Sequence, residues 1–145
     1  MKHLNMIALI GSLIFFSCKA TPKHEKEFDK IMQEVMYTHD EVMPKMSEMS
    51  DLINDLESKK DSTTLGQKFA KAQEDLKNAY DFMMEWMQDF SDKFPHQGTK
   101  LTDNTPEKIE KQLSMLKEEE KEVKQMRDAV NNSIKNAKEL LGKSE

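Results

Sequence analysis

Hydrophobic residues recur along this chain in alternating steps of four and three, the spacing of a helix that packs through one face. The first run comprises Phe28, Met32, Val35, His39, Val42, Met46, Met49, Ile53 and Leu56. The second comprises Leu65, Phe69, Ala72, Leu76, Ala79, Met83, Trp86, Phe90 and Phe94. The third comprises Ile109, Leu113, Leu116, Glu120, Val123, Arg127, Val130, Ile134, Ala137 and Leu141. The pattern predicts three long helices.

Residues that start and stop helices stand at the ends of these runs. A polar segment, 59–64, separates the first run from the second, and Pro95 follows the second. Thr105 and Pro106 suit the start of the third helix, and Gly142 suits its end. The predicted helices span about residues 26–59, 63–94 and 106–141.

The connections between these helices predict the topology. The first is short, so the first two helices should pack antiparallel, and the second spans about ten residues and returns the chain for a third antiparallel pass. Residues 26–142 are therefore predicted to form an all-α fold, an elongated up-down-up three-helix bundle that resembles a coiled coil.

The composition excludes several classes of function. The chain has 145 residues, a net charge of -5 and 1 cysteine. An acidic chain offers no electrostatic surface for nucleic acid, so no nucleic-acid partner is expected. One cysteine excludes internal disulfides and a zinc site made of cysteines alone. Because no motif for a nucleophile, a phosphate-binding loop or a catalytic zinc occurs, we predict that the protein is not an enzyme.

The first residues of the chain have the pattern of an export signal. Lys2 and His3 precede an apolar stretch at 7–16, which is too short to span a bilayer and leads to Ser17 and Cys18. A small residue followed by the only cysteine resembles a bacterial lipobox, in which the cysteine sulfur is diacylated and becomes the new amino terminus. An ordinary signal peptide with an incidental cysteine is the alternative.

Lipidation at Cys18 would divide the chain into a signal peptide at 1–17, a tether at 18–25 and the helical bundle. Each buried methylene of the acyl chains adds roughly 0.8 kcal/mol to membrane binding, so the anchor would be stable. Acidic residues directly after such a cysteine resemble a signal for export to the cell surface, and this chain has none there. We therefore expect a lipid-anchored protein of the cell envelope, on the periplasmic side of the outer membrane.

One segment of the first helix departs from an ordinary amphipathic pattern. Pro44 removes a backbone donor and crowds the carbonyl of Asp40, so a helix kink is expected there, although the kink could simply bend a long helix around its partners. His39 falls on the buried seam one turn earlier. Antiparallel counting brings Glu120 near it, and a buried carboxylate needs a partner. We therefore predict a buried polar pair of His39 and Glu120.

Methionine occurs 12 times, and several methionines lie within a turn or a packing layer of His39. Thioethers and an imidazole suit Cu(I), so copper is one interpretation of this cluster. The ligands would then be His39, Met43, Met46, Met83 and Met87. The other interpretations are that methionine replaces leucine as flexible core filler, or lines a groove that accepts varied helical partners.

Cys18 and two longer segments carry a resemblance to a known group of proteins. The segments are HDEVMPKM at 39–46 and MMEWM at 83–87. Together they resemble small lipoproteins of flavobacteria and other Bacteroidetes, sometimes labelled viral A-type inclusion proteins, a label that reflects coiled-coil similarity. The resemblance implies an envelope lipoprotein of a Gram-negative bacterium. It implies no activity and no catalytic residue.

These observations lead to one functional hypothesis and one alternative. We expect an envelope lipoprotein that acts as a non-enzymatic helical binding module, either for an envelope protein or for further copies of itself, without a cofactor. The long seams and the methionine-rich face of the first helix suit such a role. The alternative is a periplasmic protein that binds Cu(I) through methionine and histidine.

Overall fold

The computed structural model describes residues 22–95 and 105–143. The elements are α1 (Pro22–Val42), a 3-10 turn (Met43–Lys45), α2 (Met46–Glu57), α3 (Thr64–Lys93) and α4 (Pro106–Leu141). Because α1 and α2 form one interrupted pass, the described residues make three helical passes and contain no strand. The prediction of an all-α three-helix bundle is confirmed.

The described helices end close to the predicted limits, with a difference at the start of α1. This helix begins at Pro22, inside the segment 18–25 that the sequence predicts as a tether. Proline suits the first position of a helix because its missing amide hydrogen would have no intrahelical partner there. Glu25 adds an acidic side chain to the first turn, which the helix dipole favours. The helix therefore extends beyond its hydrophobic seam, which starts only at Phe28.

Pro44 divides the first pass into two helices that pack differently. The predicted helix break takes the form of the 3-10 turn, in which Pro44 is exposed. Before the turn, α1 packs mainly against α4, whereas after it α2 packs mainly against α3. Contacts between the backbones of α1 and α3 are sparse. The two helices therefore stand apart along one side of the bundle.

Ion pairs between the first pass and α4 show the relative direction of these helices. Nζ of Lys117 lies 2.6 Å from Oε1 of Glu27, and Nζ of Lys138 lies 3.2 Å from Oε1 of Glu48. From the first pair to the second, both partners advance by the same number of residues, as parallel helices require. The chain thus runs up, down and up, as predicted.

The buried face of α4 is wider than the predicted seam. Glu119 and Met126 are buried, whereas Glu120 and Arg127, the seam positions predicted for these two turns, are only half-buried. A helix that packs against neighbours on two sides buries two adjacent columns of side chains, and the second column lies one residue from the predicted seam. The prediction of a buried carboxylate at Glu120 is wrong for that reason.

Candidate binding pocket between α1 and α3

A ladder of aromatic rings fills the space between α1 and α3. The ring of Phe90 lies 5.0 Å from that of Trp86 and 5.2 Å from that of Phe94, between centroids. Two rings of α1 close the ends, with Phe28 at 6.2 Å from Phe94 and His39 at 5.6 Å from Trp86. Trp86 and Phe90 lie four residues apart and so share one face of α3, and Phe94 follows directly after the helix ends. Ring pairs at these distances attract each other, which holds α1 against α3 through side chains.

A pocket opens at the His39 end of this ladder. Its volume is about 220 Å³. Its walls are formed by Met36, His39, Trp86, Met87, Phe90 and Ser91. Because α1 and α3 stand apart here, side chains from both helices line one shared space. His39 from the segment 39–46 and Trp86 and Met87 from the segment 83–87 therefore line the same pocket.

Two buried polar atoms in the pocket walls have no hydrogen-bond partner in the described part of the chain. They are Nε2 of His39 and Nε1 of Trp86. The side chain of His39 is 16% exposed and Trp86 is 4% exposed. Native proteins seldom leave such atoms unpaired, because each one lowers stability by about 1–3 kcal/mol.

The neighbouring Asp40 determines which nitrogen of His39 is available. Nδ1 of His39 lies 3.1 Å from Oδ1 of Asp40. An ionised carboxylate can only accept a hydrogen bond, so Nδ1 carries the hydrogen in the neutral imidazole and donates it. Nε2 then keeps its lone pair and can accept a hydrogen bond or bind a metal ion. The indole nitrogen of Trp86, by contrast, can only donate.

The residues predicted as copper ligands do not all share one site. His39 and Met87 line the pocket. Met83 is fully buried in the core, and Met46 is partly buried against the core. Met43 lies on the 3-10 turn and is 42% exposed. The structure therefore brings together only two residues of the predicted set.

Met36 and Trp86 line the pocket but are not among the predicted site residues. Met36 lies three residues before His39, a spacing that puts two side chains on one face of a helix. Trp86 fits the apolar seam of α3, and this position predicts a core residue. Two features of the sequence could have indicated these pocket residues: Met36 lies one helical turn from His39, and Trp86 is next to Met87. The separation of α1 from α3, which turns these residues into pocket walls, has no signature in the hydrophobic pattern.

The predicted pair of His39 and Glu120 does not form. Oε1 of Glu120 accepts a hydrogen bond of 2.6 Å from Nζ of Lys124, at the edge of the bundle. The buried carboxylate is that of Glu119, which accepts a hydrogen bond of 2.7 Å from Nζ of Lys93. The prediction is wrong because the buried column of α4 differs by one residue at this turn and because His39 packs against α3.

A larger pocket, of about 520 Å³, lies between the first turns of α1 and the start of α4. Its chemistry differs, because Glu27 and Lys117 in its walls already pair with each other. The hydrogen bond from Lys117 lowers the pKa of the Glu27 carboxyl below its ordinary value. Since Glu27 and Lys117 satisfy each other, this pocket is a weaker candidate than the one at His39.

The predicted signal peptide at 1–17 and Cys18 lie outside the described residues. Within residues 22–95 and 105–143, no helix has both the length and the apolar character needed to cross a membrane. The same residues contain no group of three or more histidine, cysteine, aspartate and glutamate side chains that could hold a metal ion.

Comparison with known proteins finds no family model, no curated protein and no solved structure that matches this chain.

Proposed function

We propose that this protein is a lipid-anchored, non-enzymatic binding protein of the cell envelope. The lipobox-like sequence that ends at Cys18 supports the anchor, and the lack of acidic residues directly after it supports a position on the periplasmic side of the outer membrane. The pocket between α1 and α3 is the proposed binding site. The pocket opens at the surface of the bundle. Its occupant would therefore come from the aqueous side of the membrane.

The unpaired nitrogens in the pocket are the observation that carries this proposal. His39 offers an acceptor and Trp86 offers a donor, and both are buried among apolar side chains. In such a setting a hydrogen bond is stronger than in water and an unmet one destabilises the protein. An envelope protein that inserts a side chain with one donor and one acceptor would satisfy both nitrogens. A second copy of the chain is the other partner that the long helices allow.

Cross-linking in living cells tests the binding site. A photoreactive amino acid replaces Ser91, which is exposed and stands at the rim of the pocket, or Gln125, which is exposed on α4. We expect a discrete cross-linked product from position 91 and none of that size from position 125. The product should weaken when His39→Ala is added. The mass of the product separates a foreign envelope protein from a homo-oligomer.

Equal cross-linking from both positions, or a product that is insensitive to His39→Ala, would contradict a binding site at the pocket. A second experiment tests the anchor independently. The full chain should incorporate labelled fatty acid and fractionate with membranes, whereas Cys18→Ser should incorporate none. Labelling that persists in Cys18→Ser would place the modification elsewhere and remove the support for a lipobox.

Cu(I) binding is the second candidate function. The observation that favours it is the joint presence of His39 and Met87 in the walls of one pocket. The imidazole nitrogen that faces no protein partner is the kind of ligand that Cu(I) accepts beside a thioether. The ligand set has to differ from the predicted one, however, because Met43 and Met83 do not line this pocket.

A further inference from the structure

We infer that the pocket between α1 and α3 is a Cu(I) site whose ligands are Nε2 of His39 and the thioether sulfurs of Met36 and Met87, covered by the indole ring of Trp86. This inference rests on the proposal that the pocket is a binding site, and it specifies the second candidate occupant, Cu(I), by its ligands. It replaces the ligand set expected from sequence with one in which every member lines the same space.

The chemistry of the pocket walls selects a soft cation. Two thioethers and one imidazole are soft or borderline ligands, which favour Cu(I) over hard ions such as Mg²⁺ or Ca²⁺. The remaining walls are two aromatic rings and the hydroxyl of Ser91, and no carboxylate lines the pocket. A hard divalent ion would therefore find too few oxygen ligands here. The monovalent ion also brings less charge into a partly buried space.

Asp40 acts on His39 as an outer partner of a metal ligand. Metal-binding histidines commonly donate their second ring N–H to a carboxylate, which fixes the tautomer and the ring orientation. The contact of 3.1 Å between Nδ1 of His39 and Oδ1 of Asp40 supplies this arrangement. It directs the proton to Nδ1 and leaves Nε2, the buried and unpaired atom, free to bind the ion.

Trp86 contributes a ring face and excludes water. Its indole packs against the imidazole of His39, with 5.6 Å between the ring centroids and 32° between the ring planes. A cation held close to an indole face is attracted by the ring, most strongly when water is excluded. Phe90 packs on Trp86 at 22° and limits its movement. The ion would therefore bind in a partly closed apolar space, which also protects Cu(I) from oxidation.

The two helices place the ligands without a preformed rigid cage. Met36 and His39 lie one turn apart on α1, and Met87 projects from α3. Methionine has three rotatable bonds, so that both thioethers can adjust around an ion in a pocket of about 220 Å³. Bridging α1 to α3 would add a connection where the two helices otherwise meet mainly through the aromatic ladder.

A direct spectroscopic test exists because Trp86 is the only tryptophan of the chain. The full chain, purified in mild detergent, is titrated without oxygen with Cu(I) buffered by a chromogenic competitor, and separately with Ag(I), which resists oxidation. We expect one equivalent of either ion to quench the tryptophan fluorescence, with submicromolar affinity for Cu(I). Zn²⁺ and Mg²⁺ at the same concentrations should leave the fluorescence unchanged.

Matched substitutions locate the ligands. Met36→Leu and Met87→Leu conserve the apolar volume and should each weaken Cu(I) binding at least about tenfold, as should His39→Gln. Asp40→Asn, which alters only the outer partner, should weaken it about tenfold. Met43→Leu and Met84→Leu are the controls, because both methionines are exposed and lie outside the pocket. The helical circular dichroism of every variant is measured to confirm that the bundle is folded.

Several outcomes would overturn the inference. They are fluorescence that does not respond to Cu(I) or Ag(I), equal losses of affinity in Met36→Leu and Met84→Leu, and folded His39→Gln protein that binds as tightly as the parent. Cross-linking from position 91 distinguishes this failure from a failure of the binding function itself. A pocket that cross-links through His39 but does not bind Cu(I) would remain a protein-binding site and lose only the metal.

Discussion

Lys93, at the end of α3, donates a hydrogen bond of 2.7 Å from Nζ to Oε1 of Glu119, whose side chain is 1% exposed in the middle of the buried face of α4. The hydrogen bond and the charge of Glu119 raise the pKa of Lys93 above its ordinary value. Oε2 of the same carboxylate has no hydrogen-bond partner among the described residues. Lys93 is therefore the principal compensation for a carboxylate placed in the core.

Replacing Lys93 by methionine should destabilise the bundle more than replacing Glu119 by leucine. Lys93→Met leaves the buried carboxylate unpaired, which costs about 1–3 kcal/mol of unfolding free energy. The lower end of that range is expected because the Lys93 side chain is 38% exposed, so that water reaches part of the pair. Glu119→Leu leaves only a lysine that can extend into water, and a buried pair can often be replaced by apolar groups without loss. Urea unfolding measures the unfolding free energy of both variants. A Lys93→Met protein that is more stable than the Glu119→Leu protein would contradict the prediction.

Acid should destabilise the start of α3 through Asp61. Hydrogen bonds from the hydroxyl and the backbone N–H of Thr63 lower the pKa of the Asp61 carboxyl from its ordinary 3.8. Because the unfolded chain binds the proton more readily, this stabilisation is present above the unfolded pKa and is lost as the pH falls through the folded pKa. Asp61→Asn should therefore reduce the slope of unfolding free energy against pH below about pH 4, since it removes one titrating group.

The matched control for this pH dependence is Asp51→Asn, at an exposed position of α2. Unfolding midpoints in urea are measured for the parent and both variants across the acidic range. A slope that is the same in Asp61→Asn and the parent would show that the contact with Thr63 does not contribute in solution.

Gly66 should not tolerate a larger residue. A Cβ at this position would overlap the carboxylate and the backbone nitrogen of Asp61, and the backbone cannot move aside as a long side chain can. The same turn holds the helix cap, in which Oγ1 of Thr63 accepts a hydrogen bond of 3.0 Å from the Gly66 N–H. We expect Gly66→Ala to lower the unfolding free energy by about 1–3 kcal/mol, the usual range for forced overpacking.

The control for this substitution is Gln67→Ala, at the next and exposed position. Alanine is the best helix former, so this change should be neutral or slightly stabilising. Thermal unfolding of the two variants checks the prediction. Equal melting temperatures would mean that the segment around Asp61 moves away from α3 without loss.

The adjacent residues Met83 and Met84 allow a methionine in the core to be compared with one at the surface. Met83 is fully buried and Met84 is 47% exposed. Met83→Ala removes a buried side chain and leaves a cavity, which should lower the unfolding free energy by about 2–5 kcal/mol. Met84→Ala should change it by less than about 0.5 kcal/mol. Denaturant unfolding measures both, and similar values for the two variants would contradict the assignment of Met83 to the core.

Helix positions were predictable because local chemistry marks their ends. The predicted second helix, 63–94, is observed as Thr64–Lys93, and the predicted third, 106–141, as Pro106–Leu141. Thr63 caps the first of these through its hydroxyl, and Gly142 ends the other in the left-handed conformation with φ 66°. Such signals act within a few residues, so a single sequence is enough to find them.

Lateral packing was less predictable. The steps of four and three favoured Glu120 for the seam, whereas the structure buries Glu119 beside Lys93 and leaves Glu120 paired with Lys124 at the edge. His39 was expected at the centre of the bundle, but it lies at the edge between α1 and α3, where it meets Trp86. Which neighbour a helix prefers depends on side-chain shape across the interface, and this information is not carried by periodicity.

The change of packing neighbour at Pro44 separates the helix that lines the pocket, α1, from a helix that only packs in the core, α2. The candidate binding residues all belong to α1 and the second half of α3, whereas α2 packs on α3 and α4 and contributes no residue to the pocket walls. Changes in α2 can therefore adjust how firmly the protein is folded while leaving its ligand chemistry untouched. The 3-10 turn Met43–Lys45 thus separates the helix that carries ligand residues from a helix whose substitutions change stability alone.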